Sequence, residues 1–370
     1  MKNNSERLLS IDVLRGFDMF FIVGGATFIT ALCCTFGFEN CILVEQMKHV
    51  KWAGLAHHDT IFPLFLFLSG VSWPFSYASQ KSKGFSYLRI HLRAIKRGAI
   101  LFALGLLFGG ILNFKPEFRL MSVLGFIGIS WTIAAILFMH IKHLLWRIVT
   151  AGFILIGYWS LLSFFAAPDA PANVDSYSLQ GNIISYLDRL VYPRFLLEKN
   201  SYDPESLFSV PSGVAIAFIG MLMGSVLKND SIAKGRKAAL IALSALVIAA
   251  LGCIFHLVLG DVVVKKLWTS SFVLYTSAYS TAMLSLFYWV IDVKGLRFGT
   301  TPFMTIGMNS IAIYLFMMLG VQRLLAKFFF TGLSNWIGEP YVWAVSSAGT
   351  LIVGWAFVHF LYRKKIFFKI

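Results

Sequence analysis

Ten apolar stretches, each long enough to cross a bilayer as a helix, alternate with shorter polar segments along this chain. They run Phe17–Phe36, Asp59–Ser79, His91–Leu112, Leu120–Met139, Ile148–Ala166, Leu207–Leu227, Ala238–Leu257, Ser271–Ile291, Pro302–Gly320 and Tyr341–Leu361. The pattern predicts an all-α polytopic membrane protein with about ten transmembrane helices. The third stretch is the weakest, because Arg93, Lys96 and Arg97 fall in its first turns and must snorkel to the headgroups. The first is expected to be an uncleaved anchor, since no small-residue cleavage site precedes it. Between the fifth and sixth stretches lies a polar segment, residues 167–206, too long for a simple connection. It suggests one transmembrane domain over residues 1–370 with a first bundle at about 11–166 and a second at about 207–361. The long loop should fold over one membrane face.

Composition strengthens the membrane reading. Hydrophobic residues make up 58 % of the 370-residue chain and charged residues 13 %, against about 45–50 % and about 25 % in soluble domains. The +15 formal charge does not indicate nucleic acid, because the basic residues sit in short loops where membrane orientation explains them. Counting Lys and Arg in alternate loops gives 21 on the side of the chain ends and 11 on the other. That asymmetry predicts cytoplasmic termini and puts the 37–58 and 167–206 loops on the opposite side. The four cysteines, Cys33, Cys34, Cys41 and Cys253, show no metal spacing. Cys41 has Cys33 and Cys34 as candidate disulfide partners; small apolar packing is the plainer reading.

Four constellations carry candidate chemistry. In Asp12-Val-Leu-Arg15-Gly-Phe-Asp18, both acids are three residues from Arg15, so the three side chains share a helical face. An interfacial ion cluster is the plain reading; Arg15 also offers a fork to phosphate. Asp18 already lies in the apolar run, where an acid is expensive and usually functional or paired. The second is His49-Val-Lys-Trp52-Ala-Gly54-Leu-Ala-His57-His58-Asp59-Thr60-Ile-Phe62-Pro63. Asp59 and Thr60 suit N-caps of the second helix, whereas His49 has no structural duty. Three histidines and an acid within eleven residues at an interface point to proton chemistry. Zinc is not expected, because His57-His58 lacks the spacing of a helical ligand pair. The third is Lys265-Lys266-Leu-Trp268-Thr-Ser-Ser271, either interfacial anchors or a pocket rim. The fourth is Gly307-Met-Asn309-Ser310, small and amide residues that mediate helix packing or hold a ligand amide.

Taken in order, these motifs together with Tyr202-Asp203-Pro204-Glu205 resemble the transmembrane acyltransferase family of heparan-α-glucosaminide N-acetyltransferase and its bacterial relatives. The matching pieces span residues 11–310. Two segments depart from the family pattern: Gly24-Gly25-Ala26, where an Asn is common, and Phe126, where a basic residue is common. The resemblance implies acetyl transfer from cytoplasmic acetyl-CoA to the amine of a glucosamine or glucosaminide across the membrane. It implies His49 as the catalytic histidine, either as the base that takes the proton a glucosammonium must lose before it attacks, a step that suits an imidazole, or as a group that is acetylated first and hands the acetyl on. Asp59 would orient His49. Trp52, His57, His58, Asp188, Asp203 and Glu205 are expected around the acceptor, and Arg15, Asp18, Lys266, Trp268, Ser271 and Asn309 around the donor. Acetyl-CoA is then the donor substrate, no metal is expected, and the partners are an amino sugar or glycan terminus and the lipid bilayer, with a homodimer left open. The implied location is a bacterial inner membrane with the His49 loop facing the periplasm. Alternatives are a transporter of an amino sugar or its N-acetyl form, an O-acetyltransferase of an envelope glycan, and a structural membrane partner. The transporter is disfavoured by the lack of matched interrupted helices in the two halves.

Overall fold

The computed structural model of the protein describes residues 8–111, 119–171, 173–193, 196–198 and 201–368. The predicted 113–119 loop, apart from Arg119, and residues 1–7 lie outside these. Long helices account for all ten apolar stretches. They are α1 (Leu9–Thr35), α2 (His57–Ser82), α3 (Tyr87–Phe108), α4 (Val123–His140), α5 (Leu144–Phe164), α7 (Leu207–Lys228), α8 (Lys234–Val258), α9 (Ser270–Phe287), the pair α10 (Thr300–Met308) and α11 (Ser310–Met318), and α13 (Val342–Arg363). A shorter helix, α6 (Ile183–Val191), lies in the long loop, and α12 (Val321–Ile337) precedes α13. The chain is an all-α polytopic membrane protein.

Among the described residues, seven helices are long and apolar enough to cross a bilayer, or eight if the bent α10–α11 pair is one span. The expected ten is reduced for two physical reasons. α3 opens with Arg89, Arg93, Lys96 and Arg97, and α9 carries Ser270, Ser271, Thr276, Ser277, Ser280, Thr281 and Ser285. Two further expectations are corrected. The segment 321–340, read as a loop, is mostly the amphipathic helix α12 paired with α13. The ninth stretch is two helices bent by 76° at Asn309, not one straight span.

Small residues set the closest helix contacts. On α7, Gly220 and Gly224 lie against the backbone of Phe67 and Val71 of α2, and Gly70 of α2 lies against Ala217; a Cβ at any of the three would sit within 2.3 Å of a carbonyl oxygen. Gly16 of α1 and Gly307 of α10 meet in the same way. Without water to expel between helices, such backbone approach is how membrane helices gain van der Waals contact. Helices from before and after the long loop share one core around Phe67, Phe126, Trp131, Phe218 and Trp268.

The bundle has two distinct ends. At one, the Ser10 amide donates to Asp292 at 3.1 Å, and Phe368, just beyond α13, donates to Asn309. At the other, Thr35 at the end of α1 donates to the Pro340 carbonyl, near the start of α13. The His49 loop precedes α2 at this second end.

Candidate functional site

α2 starts two residues earlier than expected, so Asp59 is not the helix cap. It occupies the third helical position and accepts from the Ala56 amide at 3.2 Å, the reciprocal half of a capping box. Its fully buried carboxylate also accepts from the Val50 amide at 3.2 Å. The two amides clamp the His49 turn onto the helix. His49 Nδ1 lies 2.7 Å from Asp59 Oδ1, and Lys265 Nζ lies 3.0 Å from both atoms. A carboxylate so close to Nδ1 selects the tautomer with the proton there, donating to Asp59; Lys265 then donates to the same oxygen. Nε2 keeps its lone pair on a side chain that is 56 % exposed. This is the geometry of an oriented general base.

Lys265, read from the sequence only as part of an interfacial or pocket-rim motif and given no role of its own, is the third member of this cluster. It sits on a short 3-10 turn, Lys265–Leu267, ahead of α9. That segment is held against the His49 loop by the Ala53–Val264 bridge and by the Gly54 amide donating to Val263 at 2.8 Å. Tyr177, from the long loop, braces both partners. Its carbonyl accepts from Trp52 Nε1 at 2.9 Å, and its hydroxyl donates to buried Asp261 at 2.8 Å. Burial pushes the Lys265 ammonium down from its ordinary value, with Asp59 acting the other way.

The remaining candidates divide. The His58 ring lies 4.4 Å from that of His49, and His57 Nε2 is 3.1 Å from the Tyr279 hydroxyl. Asp203 and Glu205 converge on Arg119, a cation the sequence did not single out; Asp203 Oδ1 is 3.6 Å from Arg119 Nη2 and Glu205 bonds it directly. Trp52 and Tyr202 meet edge to face at 6.0 Å, and Lys266 donates to the Tyr202 hydroxyl at 2.8 Å. Lys266 thus faces the long loop rather than the donor side where it was expected. Trp268 is buried, stacks on Phe126 with centroids 4.5 Å apart, and packs edge-on to Phe62, so it is core and not rim. The Ser271 amide is spent on Asp261. Asp188 is fully buried and accepts from the Asp203 amide and the Ser206 hydroxyl. It braces the loop instead of meeting an acceptor.

Asp188 also gives a pH test. Burial pushes its carboxyl up from 3.8 to about 6, and burial likewise raises Asp203, Glu205 and Asp261. The folded state therefore holds the Asp188 proton where the unfolded chain has lost it. Stability is highest below the unfolded value and falls as pH rises through about 6, by about 3 kcal/mol for Asp188 alone. The melting temperature in detergent should rise from pH 7 to pH 5, and Asp188→Asn should flatten that rise. A wild-type melt that is level or falls on acidification contradicts this account.

Further along α2 from the His49 turn lies a small apolar cavity of about 40 Å³. Phe62 and Phe65, one and two turns below His58, line it with Met19 and Ile22 of α1, Leu124 and Ile127 of α4, and Ser310 and Tyr314 of α11. Next to Ser310, the buried Asn309 Nδ2 has no partner among the described residues. At the far end, Arg15 donates to Ser72 at 2.9 Å and sits 3.5 Å from Asp12. Arg97 lies over the Trp131 ring at 4.1 Å, close enough to Arg15 for the two charges to act on each other. The four cysteines are unpaired.

No profile of a known protein family matches the chain. It is 25 % identical to heparan-alpha-glucosaminide N-acetyltransferase of Mus musculus over 100 % of this chain and 61 % of the relative. It is 25 % identical to the Homo sapiens protein of the same name over 98 % of this chain and 60 % of the relative. The chain is similar to these N-acetyltransferases. The resemblance read from its motifs is therefore borne out along the full chain, which spans about three-fifths of the length of the curated relatives it matches.

Proposed function

We propose that the protein is a membrane-embedded N-acetyltransferase that moves acetyl from acetyl-CoA, entering from the cytoplasm, to the amine of a glucosamine or glucosaminide at the opposite face. The observation that carries this reading is His49, held through Nδ1 by a buried carboxylate on a side chain that is more than half exposed. The names of the relatives support the same chemistry. His49 Nε2 takes a proton from the glucosammonium. The freed amine attacks the thioester carbonyl, the C–N bond forms and the C–S bond breaks. The amide nitrogen gives up its second proton, the thiolate gains one, and one proton is released net. The walls of the apolar cavity along α2 would keep water from a thioester, and Asn309 Nδ2, beside the lining residue Ser310, is a donor for an amide carbonyl of the pantetheine arm. Arg15 and Arg97 suit the phosphate end. Around the acceptor, the Trp52–Tyr202 rings suit a sugar face, with Glu205 and Asp203 nearby for its polar groups.

The reading includes a location, a bacterial inner membrane with His49 outside. The test combines sidedness with activity. Purified protein is incubated with labelled acetyl-CoA and a panel of amino sugars, and labelled N-acetyl sugar is the expected product. In intact cells lacking the native cysteines, a cysteine at Ser176 should react with an impermeant thiol reagent, and one at Ser82 only after lysis. Sugar uptake without acetylation replaces the enzyme with the transporter, and the reverse labelling pattern inverts the orientation.

A further inference from the structure

One face of α3 is turned away from the rest of the bundle and carries positive charge that no acid of the chain answers. Ala94, Gly98 and Gly105 are on the packed side, where Gly98 lies against Gly128 and Thr132 of α4 and Gly105 lies against Ser122. On the other side, at spacings of three and four residues, run Arg89, Arg93, Lys96, Ile100, Ala103 and Leu107, and all six are exposed. The stripe divides in the middle: its first three members are cations and its last three are apolar. One aromatic ring gathers the two arginines, whose guanidinium groups lie 4.3 and 4.1 Å from the centre of Phe85. Arg97, by contrast, turns inward over Trp131. None of the three stripe cations has an acid partner among the described residues. The sequence holds no Asp or Glu between Asp59 and Glu117, nor between Glu117 and Asp169, so α3, α4 and α5 contain no acid at all. The α2–α3 connection adds two more exposed cations, Lys81 and Lys83.

The stripe has the dimensions of a lipid. From Lys96 to Leu107 the helix rises about 16 Å, close to the ~15 Å that one leaflet contributes to the hydrocarbon core. With Lys96 at the headgroups, the three cations stand at phosphate level, and Ile100, Ala103 and Leu107 run beside the acyl chains. We propose that this face of α3 binds an anionic phospholipid, its phosphate among Arg89, Arg93 and Lys96 and an acyl chain along Ile100, Ala103 and Leu107. Guanidinium groups give a phosphate paired, charge-assisted hydrogen bonds. A zwitterionic headgroup fits less well, because its own ammonium brings a like charge to a cluster with no acid to receive it. A free phosphate would leave the apolar half of the stripe uncovered. The site is at the opposite end of α2 from His49, and it does not depend on the acetyl-transfer reading.

The test is native mass spectrometry of the delipidated full chain in detergent, offered equal amounts of phosphatidylglycerol and phosphatidylcholine with the same acyl chains. Wild type should retain one phosphatidylglycerol in preference, and inorganic phosphate should not displace it. Arg89→Gln with Arg93→Gln should weaken that binding about 25-fold, about fivefold for each cation lost beside an anionic headgroup. Lys96→Gln alone should cost about fivefold. Lys234→Gln with Arg236→Gln removes the same charge from the exposed first turn of α8 and should change nothing. Added phosphatidylglycerol should raise the melting temperature of wild type and of this control pair, and not that of the Arg89–Arg93 variant. Equal retention of the two lipids by wild type, full binding in the Arg89–Arg93 and Lys96 variants, an equal loss in the control pair, or displacement by inorganic phosphate each overturn the site.

Discussion

His49→Ala should abolish acetyl transfer while leaving the fold intact. The expected loss in kcat is about 10²–10⁴-fold, the usual worth of a positioned general base. The fold survives because the ring is more than half exposed, and because its removal does not orphan Asp59. That carboxylate keeps Lys265 and the amides of Val50 and Ala56. The melting temperature should therefore stay close to that of wild type, whereas Asp59→Ala, which strips a buried cation and two amides of their acceptor, should lower both rate and melt. The check is steady-state kinetics with acetyl-CoA and the acceptor identified from the panel, alongside thermal unfolding in detergent. If His49→Ala turns over at the wild-type rate, the base lies elsewhere and the buried pair only anchors a loop.

What the sequence conveyed of this site follows the range of each interaction. His49 and Asp59 are ten residues apart, inside one turn and the helix it feeds, so a local pattern holds both. Lys265 reaches the same carboxylate across 206 positions, and Arg119 reaches Glu205 across 86. No periodicity in the chain encodes such a meeting. Lys265 and Lys266 are neighbours of one type, and only the 3-10 turn sends them to different partners. Hydropathy located the apolar helices because each had to bury or expose a long uniform surface. It missed α12, where Gln322, Arg323 and Lys327 break up the apolar run and lower its mean hydropathy. It also read α10–α11 as straight, because a bend at Asn309 does not alter mean hydropathy. Trp268 looked like a rim because tryptophans favour interfaces; its left-handed φ of 51° turns the ring inward against Phe126.

Lys265→Met should be costly in a way that Asp59→Asn partly repairs. Lys265 is mostly buried, and its ammonium is 3.0 Å from a carboxylate with no exposed surface. Removing one partner of a buried pair leaves the other charge uncompensated, at about 3–5 kcal/mol. Each single variant should lower the melting temperature for that reason, Lys265→Met by stranding Asp59 and Asp59→Asn by stranding Lys265. In the double variant neither charge is stranded, and the side-chain amide introduced by Asp59→Asn still offers a carbonyl oxygen to the Val50 and Ala56 amides. Its loss of stability should fall well short of the sum of the singles, with a coupling of about 1–3 kcal/mol. Activity should not follow stability. A neutral amide in place of the carboxylate has no charge to hold the His49 Nδ1 proton, so the double variant stays as slow as Asp59→Asn. The measurement is a double-mutant cycle on unfolding, with transfer rates on the same four proteins. Additive stability costs would mean that Lys265 and Asp59 do not act as a pair. A double variant that regains both its melt and its rate would show that the carboxylate serves the fold and not the base.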